Sequence, residues 1–100
     1  SKVDIRIGTV IEAEKVPKSN KLLKLKVNTG VDERLILSGI SKFYSPEEII
    51  DKKVMVLINL KPRKMMGYES EGMLLLAEDS DGNLSLMQPD SKIGDGSVVA

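Results

Sequence analysis

Cationic side chains are the residues of this sequence whose type and spacing offer a recognisable chemistry. They are concentrated in two short stretches, with Lys18, Lys21, Lys24 and Lys26 in the first and Lys61, Arg63 and Lys64 in the second. Closely spaced cations can neutralise successive phosphates of a nucleic acid. They can equally keep an exposed strand soluble and protect its edge. Composition favours this second interpretation, because Lys plus Arg equals Asp plus Glu, 15 each, whereas a nucleic-acid binder is usually basic overall.

Catalytic chemistry finds little support in the sequence. The chain has no His and no Cys, which removes the commonest general base, the commonest transition-metal ligand and all thiol chemistry. Ser38 and Ser70 therefore have no His partner. The carboxylate pairs fall at a helix start, as in Glu47 and Glu48, or in a turn, where capping and solvation explain them. We expect a protein that is not an enzyme and that needs no metal and no cofactor.

Alternating apolar and polar residues predict β-strands along most of the chain. The predicted strands cover residues 3–13, 23–27, 35–37, 54–58, 72–77 and 84–87, with a last extended piece at 97–99. Gly8 indicates a bulge or a coil in the first strand. A short helix is predicted after Ser45, because Pro46 suits the first helical position and Glu48 completes a capping box. In the first strand, the alternation assigns one face to Val3, Ile5, Ile7, Thr9 and Ile11.

The order of these elements indicates an all-β OB-fold, a five-stranded Greek-key barrel with a short helix between strands three and four. A C-terminal extension follows the barrel, and residues 1–100 form one domain. The core must be aliphatic, since Phe43, Tyr44 and Tyr68 are the only aromatic residues, and we expect Phe43 and Tyr44 to contribute to it. No apolar run approaches the roughly 20 residues of a membrane span. We therefore expect no membrane association and a cytoplasmic location.

Residues 59–73 combine a predicted basic loop with the start of a strand. Residues 59–67 leave the sheet at Pro62 and present three cations at the barrel rim. Ser70 could donate a hydrogen bond to a phosphate or a 2′-hydroxyl, or it could cap a turn. Gly72 indicates the close approach of another backbone or of a ligand. Three methionines could offer an adaptable contact surface or fill gaps in the core, namely Met65, Met66 and Met73.

Several strings, in this order and spacing, resemble one known family. They are DIRIGTV at 4–10, NKLLKLKV at 20–27, LSGI at 37–40, YSPEE at 44–48, NLKPRKMMG at 59–67 and SEGMLLLA at 70–77. Together they resemble the tRNA-binding OB domain found at the C-terminus of many methionyl-tRNA synthetases. The same domain occurs in stand-alone tRNA-binding proteins, in a cytokine-precursor cofactor of synthetase complexes and in a secretion-chaperone subgroup. The resemblance extends from about residue 3 to residue 100.

The resemblance implies a non-catalytic domain that binds tRNA by its structure, as a homodimer and in some cases beside the catalytic part of a synthetase. The last ten residues, with Ile93, Val98 and Val99, are then the expected contributors to a dimer interface. Scarce aromatics favour contact with the backbone and shape of the RNA over stacking of bases. The residues expected to bind RNA are Asn20, Lys21, Lys24, Lys61, Arg63, Lys64, Ser70 and Met73.

The first loop departs from the family pattern. Val16 stands where the family commonly has His before the proline, and Ser19-Asn20 stands where it commonly has Ala-Asp. The lost His removes one potential RNA contact, and the lost acid favours phosphate binding. An alternative function also remains open, a chaperone-like dimer that binds unfolded or exported polypeptides. The zero net charge and the three methionines favour that alternative.

Overall fold

The computed structural model describes residues 3–90 and 92–100, and it confirms an all-β, nearly closed barrel of five antiparallel strands. The strand order in the barrel sheet is β3-β2-β1-β4-β7. Two short hairpins, β5–β6 and β8–β9, complete the fold. The strands are β1 (Ile5–Lys15), β2 (Leu23–Asn28), β3 (Glu33–Ser38), β4 (Lys53–Leu57), β5 (Arg63–Met65), β6 (Tyr68–Ser70), β7 (Met73–Leu74), β8 (Leu76–Glu78) and β9 (Leu84–Leu86).

Strand β1 is shared between two parts of the barrel. Residues 5–9 pair with β4 and residues 9–15 pair with β2. The register shift lies between Val10 and Glu12, so the bulge predicted at Gly8 is displaced along the strand. Gly8 instead permits close contact with β2, because a Cβ there would lie 2.7 Å from Val27 Cγ1 and 2.8 Å from the Asn28 carbonyl oxygen.

The apolar residues that the alternation places on one face of β1 do not belong to the central core cluster. Val10 is fully buried in the central core, whereas Ile11 is only half-buried. Ile7 is buried, but it lies outside the central cluster. The C-terminal extension pairs with the edge of β1 at this point, since Ile7 exchanges backbone hydrogen bonds with Gly96 and Ser97. Gly8 and Val10, on the opposite face of β1 from Ile7, are also buried, so alternation alone could not tell which face lines the barrel interior.

The barrel core is aliphatic, as predicted. Its buried members are Val10, Leu23, Leu25, Val27, Ile36, Ile40, Ile49, Val54, Val56, Leu74 and Leu86. Tyr44 packs against this cluster, and its hydroxyl accepts a hydrogen bond from the Leu86 backbone N–H. Phe43 is exposed, so the prediction that it belongs to the core is wrong. The chain turns outward at Phe43 before the helix begins.

A single turn of helix, α1 (Pro46–Ile49), lies between β3 and β4 as predicted. The Ser45 hydroxyl accepts the Glu48 backbone N–H, and the Glu48 side chain accepts the Ser45 backbone N–H. This reciprocal pair satisfies groups that the helix start leaves unbonded. Ile49 anchors the turn in the core. In the part of the chain that the structure describes, no helix has the length and apolarity to span a membrane.

Two predicted elements take a different form in residues 59–77. Residues 59–67 are not a simple loop, because Arg63–Met65 pairs with Tyr68–Ser70 as the β5–β6 hairpin. The predicted strand at 72–77 divides at Leu75 into β7, which joins the barrel sheet, and β8, which pairs with β9. The β8–β9 hairpin encloses the predicted turn at residues 81–83. Strand lengths of two or three residues are too short for a periodic signal.

Candidate nucleic-acid interface

The β5–β6 hairpin presents the second group of cations. Its tight turn places Met66 and Gly67 at φ 50° and 84°, the positive pair that two-residue hairpin turns require. Successive strand residues point to opposite faces. Arg63 and Met65 therefore share one face of the hairpin, and Lys64 points to the other. All three cations of this stretch, including Lys61 just before the hairpin, are exposed.

The hairpin is fastened to β3 by the two residues at the end of β6. The Ser70 hydroxyl accepts the Leu37 N–H at 3.0 Å and donates to the Gly72 carbonyl at 3.0 Å. The Glu71 N–H donates to the Leu35 carbonyl at 2.7 Å, while the Glu71 carboxylate accepts the Leu35 N–H at 2.8 Å. These bonds connect β3, at one edge of the barrel sheet, to the segment just before β7, the strand at the other edge. They also provide partners for the Leu35 and Leu37 N–H groups and for the Leu35 carbonyl on β3.

A cavity of about 320 Å³, here called the rim cavity, lies between the end of β3 and the hairpin. Lys61 and Arg63 line it, and none of its described lining residues is acidic. Gly72 also lines it and allows close packing, since a Cβ there would lie 3.1 Å from the Leu57 carbonyl oxygen. The rest of the wall is mainly apolar and is formed by Leu22, Leu37, Ser38, Gly39, Leu60, Met65, Ser70, Met73, Leu74 and Leu76.

The β1–β2 loop brings Asn20 and Lys21 beside this cavity. The Ser19 hydroxyl accepts the backbone N–H groups of Lys21 and Leu22, which orders the loop before β2. Ser41 then ties the loop to the chain after β3. Its N–H donates to the Lys21 carbonyl at 2.9 Å, and its hydroxyl donates to the Asn20 carbonyl at 3.2 Å. Both predicted side chains stay exposed, and the neighbouring Leu22 lines the rim cavity.

Lys24 has a different environment from the other predicted cations. Its ammonium group pairs with the Glu14 carboxylate across the β1–β2 ladder and lies 4.6 Å from the centroid of the Tyr68 ring. The hydrogen bond with Glu14 raises the pKa of Lys24. Tyr68 belongs to the hairpin, so this contact joins the hairpin to β2. The assignment of Lys24 as a phosphate contact stays a prediction.

Ion pairing divides the cations of this neutral chain into two sets. One set is neutralised by nearby acids, in the pairs Arg6–Asp4, Lys24–Glu14, Lys26–Glu12, Lys26–Glu33, Arg34–Asp32 and Lys53–Asp95. The other set includes Lys21, Lys61, Arg63 and Lys64, which form no ion pair within 4.0 Å among residues 3–90 and 92–100. Lys61 and Arg63 therefore place unpaired positive charge on the lining of the rim cavity, whereas Lys64 has Glu69 directly opposite it in the β5–β6 ladder.

The eight residues expected to bind RNA fall into three groups in the structure. Lys61, Arg63, Ser70 and Met73 line the rim cavity. Asn20, Lys21 and Lys64 lie in the two exposed segments beside it, and Lys24 is held in its ion pair. Sequence reasoning did not single out six further lining residues, although each belongs to a string that carries the family resemblance. These are Leu22, Leu37, Gly39, Leu60, Leu74 and Leu76.

Acidic side chains do not form a recognisable metal site in the part of the chain described. No group of three or more Asp or Glu residues there is close enough to hold an ion. The acids of the β8–β9 turn instead order its backbone. Asp79 accepts the backbone N–H groups of Asp81 and Asn83 and the Asn83 side-chain amide, and the bonds from Asn83 lower the pKa of Asp79.

Comparison with known proteins identifies the family. Residues 5–98 match the family described as "Putative tRNA binding domain". A methionine–tRNA ligase of Flavobacterium johnsoniae is 54% identical over 99 residues, which cover 99% of this chain but 14% of the ligase. The chain thus spans a small part of that relative's length. These matches confirm the resemblance noted from the strings of the sequence.

Two solved structures share the whole fold. The MetRS related protein from Pyrococcus horikoshii has a TM-score of 0.93 and 41% sequence identity, covering 98% of this chain and 90% of that one. The chaperone CsaA from Bacillus anthracis has a TM-score of 0.88 and 28% identity, with coverage of 98% and 90%. The chain belongs to the family of tRNA-binding domains and is homologous to a segment of methionine–tRNA ligases.

Proposed function

We propose that this domain binds the phosphate backbone of tRNA through Lys21, Lys61, Arg63 and Lys64, without catalysing a reaction. Asn20 lies at the edge of this surface, Met73 lines the adjoining cavity, and Ser70 holds the surface in shape. The observation that carries the proposal is the exposed positive charge of Lys61 and Arg63, which form no ion pair among the described residues and line a cavity whose described lining holds no acid. Lys21 and Lys64 lie in the exposed segments beside it. Local positive charge of this kind attracts phosphates even when the net charge is zero.

The positions of the aromatic residues favour recognition of RNA by its shape and phosphates over stacking of its bases. Single-strand binders of the OB-fold class usually stack bases on exposed rings. Here the Tyr68 ring is engaged by Lys24, and Tyr44 packs against the core. Phe43 is exposed, but it does not line the rim cavity. The surface therefore offers phosphate contacts rather than an aromatic platform for successive bases.

The role of such a domain in a longer protein follows from its relatives. Within a methionine–tRNA ligase it would raise the affinity for tRNA while another part performs the aminoacylation. The chain covers 14% of the F. johnsoniae ligase, which leaves ample length for a catalytic part. Homodimer formation and a cytoplasmic location stay predictions that rest on the resemblance.

Lys61→Ala combined with Arg63→Ala tests the proposal. The double variant removes two unpaired cations from the rim of the cavity. We expect its affinity for bulk tRNA at low salt to fall by about ten- to a hundredfold, because charged hydrogen bonds contribute roughly 1.5–3 kcal/mol each and partial compensation by neighbouring cations reduces the loss. Electrophoretic mobility shift over a protein titration measures this change.

Lys52→Ala is the control, since Lys52 lies between α1 and β4, outside the proposed surface. It should leave tRNA binding within about twofold of the wild type, because it lies outside the proposed surface. Equal losses in the control and the double variant would mean that binding depends on charge in general. Wild-type affinity in the double variant would exclude Lys61 and Arg63 as phosphate contacts.

A chaperone-like function is the second candidate, and the similarity to CsaA is the observation that favours it. Exposed apolar side chains near the hairpin offer a surface for polypeptide, namely Leu60, Met66 and Met73. Addition of a peptide strand to β3 is disfavoured, because Glu71 and Ser70 already accept the N–H groups of Leu35 and Leu37. Displacement of tRNA by an unfolded polypeptide would favour this second function.

A further inference from the structure

We propose that the rim cavity takes up the base of one unpaired nucleotide, while Lys61 and Arg63 bind the adjoining phosphate. The inference rests on the proposed tRNA binding and adds a specific requirement to it. Contacts with phosphates alone would accept paired and unpaired RNA alike. A cavity that receives a base can be filled only where the base is free of its pairing partner.

The size and lining of the cavity fit a small ligand with an apolar surface. Its volume of about 320 Å³ lies at the lower end of the range for small-ligand sites, roughly 300–1,000 Å³. Leu22, Leu37 and Leu74 belong to its wall, and Leu37 is 4% exposed. A base buried against such side chains loses contact with water on its faces, which favours binding.

The charges around the cavity select an anionic ligand. Lys61 and Arg63 are on its lining, and Glu71, the acid next to Ser70 in the chain, does not line it. The Glu71 carboxylate instead accepts the Leu35 N–H at 2.8 Å. A nucleotide matches this arrangement, because it joins an apolar base to a phosphate through a short ribose linker. The guanidinium of Arg63 and the ammonium of Lys61 can each hold phosphate oxygens.

The hydrogen bonds at the edge of β3 disfavour a peptide in the same place. An extended peptide needs partners for its own N–H and C=O groups, which a free strand edge would supply. On β3, Ser70 and Glu71 bond to the N–H groups of Leu37 and Leu35, and Glu71 also bonds to the Leu35 carbonyl. A base that enters the cavity does not need a row of backbone N–H and C=O partners along a strand.

The aliphatic lining predicts weak discrimination among the four bases. Leucine and methionine side chains contact any base through its faces, and hydrogen bonds to base edges are what distinguish one base from another. The Ser70 hydroxyl is already engaged with Leu37 and Gly72. We therefore expect a preference for unpaired over paired nucleotides that depends little on the base.

Two RNA hairpins of equal charge provide the first test. Both carry a four-nucleotide 3′ overhang, and in one of them the overhang is abasic while its phosphates remain. The wild-type protein should bind the normal overhang about tenfold more tightly, because the base of that overhang buries apolar surface against the aliphatic wall of the cavity. Fluorescence anisotropy at low salt measures both affinities. Exchanging the overhang sequence should change the affinity by less than about threefold.

Gly39→Leu provides the second test, because it fills the cavity without removing a charge. A Cβ at Gly39 meets no atom within 4 Å, so the added side chain can be accommodated at the cavity wall. Ser80→Leu is the control, since it adds a leucine at an exposed position of the β8–β9 turn, outside the cavity lining. Gly39→Leu should bind both hairpins with the affinity that the wild type shows for the abasic one. Ser80→Leu should retain the wild-type difference, and thermal unfolding checks that both variants are folded.

The outcomes separate this inference from the proposed function. Equal affinities of the wild type for the two hairpins would overturn base uptake, as would failure to bind either hairpin by a protein that binds tRNA. If wild-type protein does not bind tRNA at low salt, the proposed function itself fails.

Discussion

The hydroxyl of Ser70 shows how one buried polar atom can shape a binding surface. It is 3% exposed and bonds to Leu37 on β3 and to Gly72 at the start of β7. The sequence allowed either an RNA contact or a turn cap, and the hydrogen bonds in the structure are those of a structural residue. The Ser70 hydroxyl already accepts one hydrogen bond and donates another within the protein. A contact between Ser70 and RNA therefore stays a prediction.

Ser70→Ala should lower the free energy of unfolding by about 1–3 kcal/mol, because it leaves the Leu37 N–H without its partner in a buried position. Urea denaturation of the variant and the wild type measures the difference. Ser80→Ala is the control at an exposed serine, with an expected change within about 0.5 kcal/mol. An unchanged midpoint for Ser70→Ala would show that water or a shifted backbone replaces the bond.

Lys24 illustrates why residue type alone could not assign the cations. The sequence places Lys24 and Lys26 on one face of β2, and the structure confirms this. Acids at matching positions on β1 neutralise both, since Glu14 pairs with Lys24 and Glu12 with Lys26. Such pairing depends on strand register, which is fixed by the whole sheet and by the bulge in β1.

At the scale of elements, the connection between β2 and β3 orients Arg34, which links β3 to the segments after β4 and before β7. The Asp32 carboxylate accepts hydrogen bonds from the Thr29 hydroxyl and from the Arg34 guanidinium. Arg34 also donates to the Ile58 carbonyl at 2.6 Å and to the Glu71 carbonyl at 3.0 Å. One short turn is thus linked to the chain after β4 and to the segment that bonds to β3.

The stability of this connection should depend on pH. The hydrogen bond from Thr29, followed by that from Arg34, lowers the pKa of Asp32 below its usual 3.8. A lowered pKa means that ionised Asp32 contributes stability above pH 3.8, and that this contribution is lost as the pH falls through the lower value in the folded protein. Asp32→Asn should therefore reduce stability near neutral pH and lose less of it on acidification.

Urea denaturation at several pH values between about 2 and 7 measures this effect. Asp81→Asn is the control, because Asp81 is an exposed acid in the β8–β9 turn and forms no ion pair in the described residues. It should keep the pH dependence of the wild type. An Asp32→Asn profile parallel to that of the wild type would contradict the assigned role of Asp32.

The elements that the sequence predicted well are those with strong local signals. Ser45, Pro46 and Glu48 indicated the helix start, and residues 81–83 indicated the hairpin turn. The β5–β6 hairpin was not predicted, because its strands have three residues each and contain charged side chains on exposed faces. The division of residues 72–77 at Leu75 was missed for a similar reason, since an apolar run does not show which sheet each residue joins.

At the scale of the whole molecule, the zero net charge conceals an uneven distribution. The cations of β1–β4 are largely paired with acids, whereas Lys21, Lys61 and Arg63 form no ion pair in the part of the chain that the structure describes. At physiological salt, charges farther apart than about 8 Å are largely screened, so a bound phosphate responds mainly to the nearest cations. Net charge therefore argued against nucleic-acid binding at the sequence level without describing the surface that a ligand would meet.

The order of the barrel strands followed from the sequence, whereas the place of the binding surface stays a prediction. The rim cavity did not follow from the sequence, because it is formed by residues that are far apart in the chain, such as Leu22, Gly39 and Met73. Their proximity depends on the hydrogen bonds of Ser70 and Glu71 with β3. Shape of this kind arises from barrel closure and has no local sequence signal.

The salt dependence of tRNA binding tests the central claim most directly. Affinities of the wild type and the Lys61→Ala/Arg63→Ala variant for bulk tRNA should be measured over a salt series, with the free protein sized in parallel. The wild-type affinity should fall steeply on a log–log plot, and the slope of the variant should be shallower by about 1.4–1.8, because each of the two lost phosphate contacts contributes roughly 0.7–0.9. Parallel slopes, or wild-type binding that does not respond to salt, would contradict phosphate recognition at this surface.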